Sequence, residues 1–304
     1  MKFTEENRKA YAANHQLTFA AAEYVERSSI GLGRNIGTAP NRPSFLVEFP
    51  SFKMGCTMNL ESRHEYGYAV ELERDRDVIA FYEQPPTVEL LRDTPKGKRP
   101  YPYTPDFIVL GKTGPLVVQV KESSELEDLV ETSLSWTKCD NNYVDIAARD
   151  LFSSIGIRHV VIPSSRICKQ VTQNLLTLRM VELAEADPAT ERAALAHVLQ
   201  RRVVTMSEVL QKMNTQDCTS LLRLVADGRI FADLSKHSLS SPSTCLLAAS
   251  PELLSTELVE EIERSRHVVP SSEDTVSRDL IPSSSHLVRG CNDPPVSAQV
   301  MRLM

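Results

Sequence analysis

No stretch of the 304-residue chain holds an apolar run long enough to span a bilayer, which takes ~18 residues or more. The opening run MKFTEENRKAYAANHQ lacks the apolar core of a signal peptide. Together these absences predict a cytoplasmic protein with no membrane partner. The six cysteines (Cys56, Cys139, Cys168, Cys218, Cys245, Cys291) show no zinc-ligand spacing, and the seven histidines do not cluster near them. Reduced thiols are expected, some of them simply packed in a core. A basic excess is also missing: the net charge is −6. That argues against a chain that grips DNA tightly by itself, though not against one that borrows its affinity from partners. We find no internal repeat. A hydrophobic content of 41% with 24% charged residues is ordinary for a globular protein with a real core, and the length allows two domains.

Local patterns predict an α/β order. The first residues, rich in Ala10, Ala12, Ala13 and Ala20–Ala22, read as helix. A Gly/Pro/Asn loop follows from Gly31 to Pro43, then the strand-like SFLVEFPSFKM. Leu60, His64, Tyr68 and Leu72 step by four and predict a helix over Leu60–Leu72. Asp77–Gln84 and Thr87–Leu91 are short strand candidates parted by Pro85-Pro86, and Thr94–Pro100 (TPKGKRP) reads as a basic loop. Tyr103–Leu110 and Pro115–Val120, joined by GKTG, predict a β-hairpin. Asn142–Ile155 reads as helix, Ile157–Ile162 as buried strand and Arg166–Leu178 as helix. Further on, Ala189–Leu199, Thr205–Met213 and Cys218–Ala226 are helical, and Arg229–Leu234 with Thr244–Ala248 reads as a small hairpin: a winged-helix pattern. An acidic helix is plausible after Pro251, and the Ser/Pro-rich run beyond Val269 is expected to be disordered.

The hairpin carries the chemistry. Hydrolysing a phosphodiester calls for a hard divalent cation, oxygen ligands to hold it, and a positive group near the nucleophile. Asp106 is expected mid-strand behind Pro105, with Gln119 and Lys121 two apart on the partner strand and so on one face. Val120 between them points away, but its backbone carbonyl is a candidate ligand. This is the PD-x(n)-(D/E)-x-K arrangement with glutamine where an acid is commoner. Taken alone, the match leaves open a plainer reading, solvated charges at strand ends.

These residues resemble TnsA, the endonuclease subunit of a heteromeric transposase, across roughly 32–178. The likeness rests on Glu65, on Glu83-Gln84-Pro85, on Asp106, and on Gln119-Val120-Lys121, where glutamine is a TnsA trait; IPSSRICKQVTQNLLTLRM, with Asn174 and Leu175, resembles the segment after that nuclease. The resemblance implies a restriction-endonuclease-like core at 41–165, preceded by an extension at 1–40. A winged-helix domain at 166–250 and an acidic helix and tail at 251–304 would follow. It implies that Glu65, Asp106, Gln119 and the Val120 carbonyl hold one or two Mg²⁺, with Mn²⁺ able to substitute, and that Lys121 positions or activates water. It further implies hydrolysis of the 5′ strands at transposon ends in a bacterial cytoplasm, nucleoid-associated when assembled on DNA. A DDE-type transposase would cut the 3′ strands, and an AAA+ ATPase would license target choice.

Plainer readings stand beside these. Periodicity does not separate Glu65 from Glu61, Glu71 and Glu73, and His64 reads as a packed histidine. Lys96, Lys98 and Arg99 are either phosphate contacts or a solvated loop, and acids outnumber bases between Arg42 and Ile162. The winged-helix pattern, poor in basic residues, favours partner contact over base reading. Trp136 is as readily a packing anchor as anything else. A restriction, defence or repair nuclease and an inactive binding adaptor remain alternative functions.

Overall fold

The computed structural model describes residues 3–31, 46–140 and 142–254. Most of the expected Gly31–Pro43 loop, the acidic helix after Pro251 beyond Leu254, the expected disordered tail and Cys291 lie outside the described residues. The chain divides into two compact units between Leu176 and Thr177. The boundary expected after residue 165 falls ahead of helix 169–182, and the division of contacts falls within it.

The first unit is mixed α/β. It opens with α1 (Glu5–Asn14) and α2 (Phe19–Ser29), begun by Thr4 and Thr18, whose hydroxyls accept from the N–H groups of Asn7 and Ala21. β1 (Val47–Ser51) and β2 (Cys56–Leu60) pair antiparallel, and α3 (Arg63–Arg74) follows. The expected helix from Leu60 therefore starts later. Leu60 closes β2, and Ser62 caps α3 by accepting from the Glu65 N–H at 3.0 Å. The turn between β1 and β2 clamps the far end of α3. Lys53 Nζ donates to the carbonyls of Leu72, Asp75 and Val78 at 2.6, 2.6 and 2.9 Å, and the Glu73 carboxylate accepts from the N–H groups of Phe52 and Lys53.

Next come β3 (Val78–Glu83), β4 (Val88–Thr94), β5 (Gly97–Tyr103), β6 (Phe107–Gly111) and β7 (Gly114–Lys121). The expected basic loop Thr94–Pro100 is instead mostly strand: β5 pairs antiparallel with β4 from Thr94↔Gly97 to Val88↔Tyr103. Its two prolines hid it, because proline scores as a strand breaker unless it sits on an edge. Then follow α4 (Ser123–Thr132), β8 (Trp136–Cys139), β9 (Asn142–Asp145), α5 (Ile146–Ser154), β10 (Arg158–Pro163) and α6 (Lys169–Glu182). The helix expected over Asn142–Ile155 is split. Its first residues form β9, and Asp145 caps α5 by accepting from Ala148 N–H. Trp136 is a packing anchor, buried with Leu126, Tyr143 and Val161.

The central sheet has the order β10-β7-β6-β3; β10 is parallel to β7, and the other pairs are antiparallel. Phe107, Ile108, Leu110, Val117 and Val118 are fully buried, because α3 packs over β7 and α5 over β10. Strands covered on both faces read as continuous apolar runs, which is how YTPDFIVL and PLVVQV look in the sequence.

The second unit holds α7 (Pro188–Arg201), β11 (Val203–Thr205), α8 (Met206–Met213), α9 (Thr219–Ala226), β12 (Phe231–Ala232) and β13 (Leu246–Ala248). Its antiparallel sheet has the order β11-β13-β12. Thr205 and Glu208 form a reciprocal capping box at the start of α8. Gly228, at φ 68°, follows α9. Among the described residues, no helix is long and apolar enough to cross a membrane.

Candidate active site

Asp106 stands in the bend just ahead of β6, one residue short of the strand in which it was expected. Its backbone continues the ladder on both sides. Its N–H donates to the Val118 carbonyl at 3.0 Å, and its carbonyl accepts from Gln84 N–H at 2.8 Å. Gln84 meets it by adopting left-handed backbone (φ 42°). A non-glycine residue in that region carries strain, which persists only where surrounding structure holds it. Glu83-Gln84-Pro85 is thus the seam beside Asp106, and among the described residues the buried Gln84 Oε1 has no hydrogen-bond partner.

The Asp106 side chain is anchored through one oxygen. Oδ2 accepts from Gln119 Nε2 and from Val120 N–H, both at 2.6 Å. Asp106 keeps a small exposed surface, yet its carboxyl is enclosed by protein. Burial pushes it well above the usual carboxylate range, and the Glu65 charge pushes the same way; the Val120 hydrogen bond and Lys121 pull it down.

Glu65 reaches this place from the first turn of α3. Its Oε2 accepts from Glu61 N–H at 2.9 Å, and it is 8% exposed. Burial raises its pKa, as does the charge of Glu61. One turn on, Tyr68 packs edge-on against Phe107 at 5.6 Å between ring centroids, which pins α3 beside the residue following Asp106. Gly67 lets Ile167, ahead of α6, pack closely against α3, since a Cβ there would lie 2.5 Å from its Cγ2. Glu61, set among the solvated charges by periodicity, contributes to the field at both carboxyls.

Gln119 and Lys121 share one face of β7, partly exposed, while Val120 is buried. The Gln119 amide nitrogen is spent on Asp106, which leaves its oxygen as the atom it can offer. A residue's N–H and C=O leave a strand on the same edge, so the Val120 carbonyl emerges on the Asp106 side rather than toward β10. Lys121 Nζ is held by Glu125 Oε1 of α4 at 2.6 Å. His64 is not a packed histidine: its side chain is 40% exposed, and Nε2 lies 2.7 Å from Glu122 Oε2. The α3 stripe turns to the surface at that position because Ser62 and Arg63 have only just begun the helix.

A buried polar layer backs the site, and sequence reasoning missed it. Tyr103 bonds His159 Nε2 at 2.8 Å, and Arg92 bonds Asp145 Oδ2 at 2.6 Å with Asp145 wholly buried. Burial, then Arg92, holds His159 down to about 4, so it is neutral near pH 7. No local signal could have found this group, because its members come from β4, β5, β9 and β10. Lys96, Lys98 and Arg99 lie on the turn and strand of the β4–β5 ribbon, all exposed. The structure thus brings Glu65, Asp106, Gln119 and Lys121 together and leaves these three apart from them.

Among the described residues, no three His, Cys, Asp or Glu side chains stand together as a metal cluster. A cation here would rest on two carboxylates plus neutral oxygens. That donor set suits magnesium, which commonly takes one or two carboxylates and retains water. Two enclosed carboxyls, each raised in pKa and one raised by the other, are a pair that a cation would relieve.

Residues 75–163 match the family described as TnsA-like endonuclease N terminal. The matched segment spans β3 to β10 and includes Asp106, Gln119, Val120 and Lys121; Glu65 lies ahead of it. No curated protein matches the chain. By that match, residues 75–163 are similar to the N-terminal domain of TnsA-like endonucleases.

Proposed function

We propose that this chain is the magnesium-dependent DNA endonuclease subunit of a heteromeric cut-and-paste transposase, which hydrolyses the 5′ strands at transposon ends. The observation that carries the reading is a pair of enclosed carboxyls, Glu65 and Asp106, the second raised in pKa by the charge of the first, with Asp106 and Lys121 inside the TnsA-like segment. Bound magnesium would supply charge neutralisation at the scissile phosphate and a more acidic water. Glu65 and Asp106 would hold it, with the Gln119 amide oxygen and the Val120 carbonyl as auxiliary donors. The Gln119 and Val120 N–H groups lock Asp106 through Oδ2, so Oδ1 is the atom presented to a cation. Lys121 orients the attacking water or steadies charge as it develops on the phosphate. Glu125, in the first turn of α4, is the acid that holds its ammonium beside the site.

The second unit supports a partnered assembly. Its order of helix, strand, two helices and two strands, with sheet order β11-β13-β12, supports a winged-helix reading. Yet α9, where such a domain would read bases, buries Ser220, Leu221, Leu222, Leu224 and Ala226. Its one cation, Arg223, donates to the carbonyls of Val181 and Glu182 at 2.9 and 2.7 Å. Contact with a partner subunit, a DDE-type transposase or an AAA+ regulator, suits that surface better than base readout. The test is a nicking assay on transposon-end DNA with Mg²⁺ and the reconstituted partners. Wild type is expected to cut the 5′ strand, and Asp106→Ala and Lys121→Ala to lose roughly 100-fold or more of that rate. Equal cutting by Asp106→Ala would refute the assignment.

A further inference from the structure

We propose that the β4–β5 ribbon is a DNA-holding arm, which grips the phosphate backbone of the duplex alongside the cut. The proposal takes from the endonuclease reading only the identity of the ligand.

The first observation is where the ribbon is rooted. It is inserted between β3 and β6, so its two feet are Gln84 and Asp106, the residues whose backbones bond to each other at the site. Thr87 and Thr104 close the base, hydroxyl to hydroxyl, at 2.7 Å. A duplex held by the ribbon is therefore delivered to Asp106. Strands of seven residues carry the tip roughly 20 Å from that base, or about six base pairs at 3.4 Å each.

The second is rigidity. Leu90 is buried, α5 packs against β4, Arg92 is paired with the buried Asp145, and Tyr103 is bonded to His159. Two-stranded ribbons are marginal alone; this one is fastened to the unit on one face.

The third is charge. From Thr94 to Tyr103 there are three cations, Lys96, Lys98 and Arg99, and no acid. Every residue of β5 except Tyr103 is exposed. Among the described residues, Lys98 alone of the three has a nearby acid, Asp93, at 4.0 Å on the surface. In a chain of net charge −6 this is a local reversal of sign on a ribbon rooted at the site.

The free edge of β5 also argues against another occupant. Exposed edges invite a further strand. Pro100 and Pro102 pair with Leu91 and Glu89 within the ladder, so the N–H each lacks is the one that would have pointed outward. The edge cannot template a β-strand, whereas phosphate contacts need only the side chains.

The experiment measures binding of the full chain to a fluorescent duplex of unrelated sequence, without magnesium, over a salt series starting at low ionic strength. The comparison is with Lys96→Ala/Lys98→Ala/Arg99→Ala. Three lost phosphate contacts should weaken binding about tenfold or more and flatten the log–log salt slope by roughly three. A control, Lys9→Ala/Lys112→Ala/Lys138→Ala, removes as much charge elsewhere on the first unit and should leave the slope unchanged. An unchanged slope in the ribbon variant, an equal fall in the control, or no wild-type binding at low salt would overturn the proposal. No cleavage is needed for this readout. A chain that binds through the ribbon yet never cuts would strike the endonuclease reading and leave the arm standing.

Discussion

Two successive antiparallel hairpins, β4–β5 and β6–β7, share a root and differ in almost everything else. β6–β7 lies inside the sheet, covered by helices, and all but the polar end of its strands is buried. β4–β5 lies at the surface, and β5 is exposed up to the buried Tyr103. The first can raise the pKa of a carboxyl because it removes Asp106 from water. The second can present charge because it leaves its cations in water. Burial governs the protonation of one hairpin and exposure the charge of the other, and the chain passes between them through the same seam at Gln84 and Asp106.

The contrast can be broken in order of effect. Phe107→Ala, in the buried hairpin, should cost about 3–5 kcal/mol in urea unfolding, while Leu91→Ala, 58% exposed on the ribbon, should change it by less than about 0.5 kcal/mol. Similar losses from both would end the distinction. Arg92→Ala should cost on the order of 3 kcal/mol, because it leaves the buried Asp145 charge without its partner. If stability is unchanged, the ribbon is not fastened there.

Gln119→Glu tests the neutral amide in the buried hairpin. It places a second carboxylate against Asp106 Oδ2, where an amide donor now lies at 2.6 Å. We expect lower stability without metal and a half-saturating Mg²⁺ concentration for cleavage lower by about tenfold, some 1.4 kcal/mol. Identical titrations would show that the glutamine does not weaken metal affinity.

An effect of similar size to the last is a pH dependence. Burial pushes Glu71 of α3 up to about 7 from 4.5, against the pull of Arg166. For a carboxyl raised on folding, stability is full below about 4.5 and declines as pH climbs toward 7. Glu71→Gln should flatten that decline and gain roughly 1–2 kcal/mol at pH 8, discounted for partial exposure. An unaltered pH profile would place the decline elsewhere.

Much of the site's chemistry could be read from residue order. The Asp106 and Gln119-Val120-Lys121 pattern lies on strands whose apolar runs are unmistakable. Periodicity gave no reason to prefer Glu65 over Glu61, because their difference lies in what faces them, not in their own neighbours. The ribbon was misread because Pro100 and Pro102 look like breakers until β4 is seen to take up only one edge. Arg92, Asp145, Tyr103 and His159 carry no local signature, since each is ordinary until four separate elements fold over it.

By itself, the sequence determined the alternation of apolar strands and helices, the turn chemistry, and the presence of an acid, an amide and a lysine at hairpin spacing. All of these are set by side-chain type and near neighbours. Only the tertiary structure decided which glutamate faces Asp106, that Gln119 turns its nitrogen to it, and that Lys121 rests on Glu125. Those outcomes depend on desolvation and charge at close range, and both arise only when distant segments exclude water together.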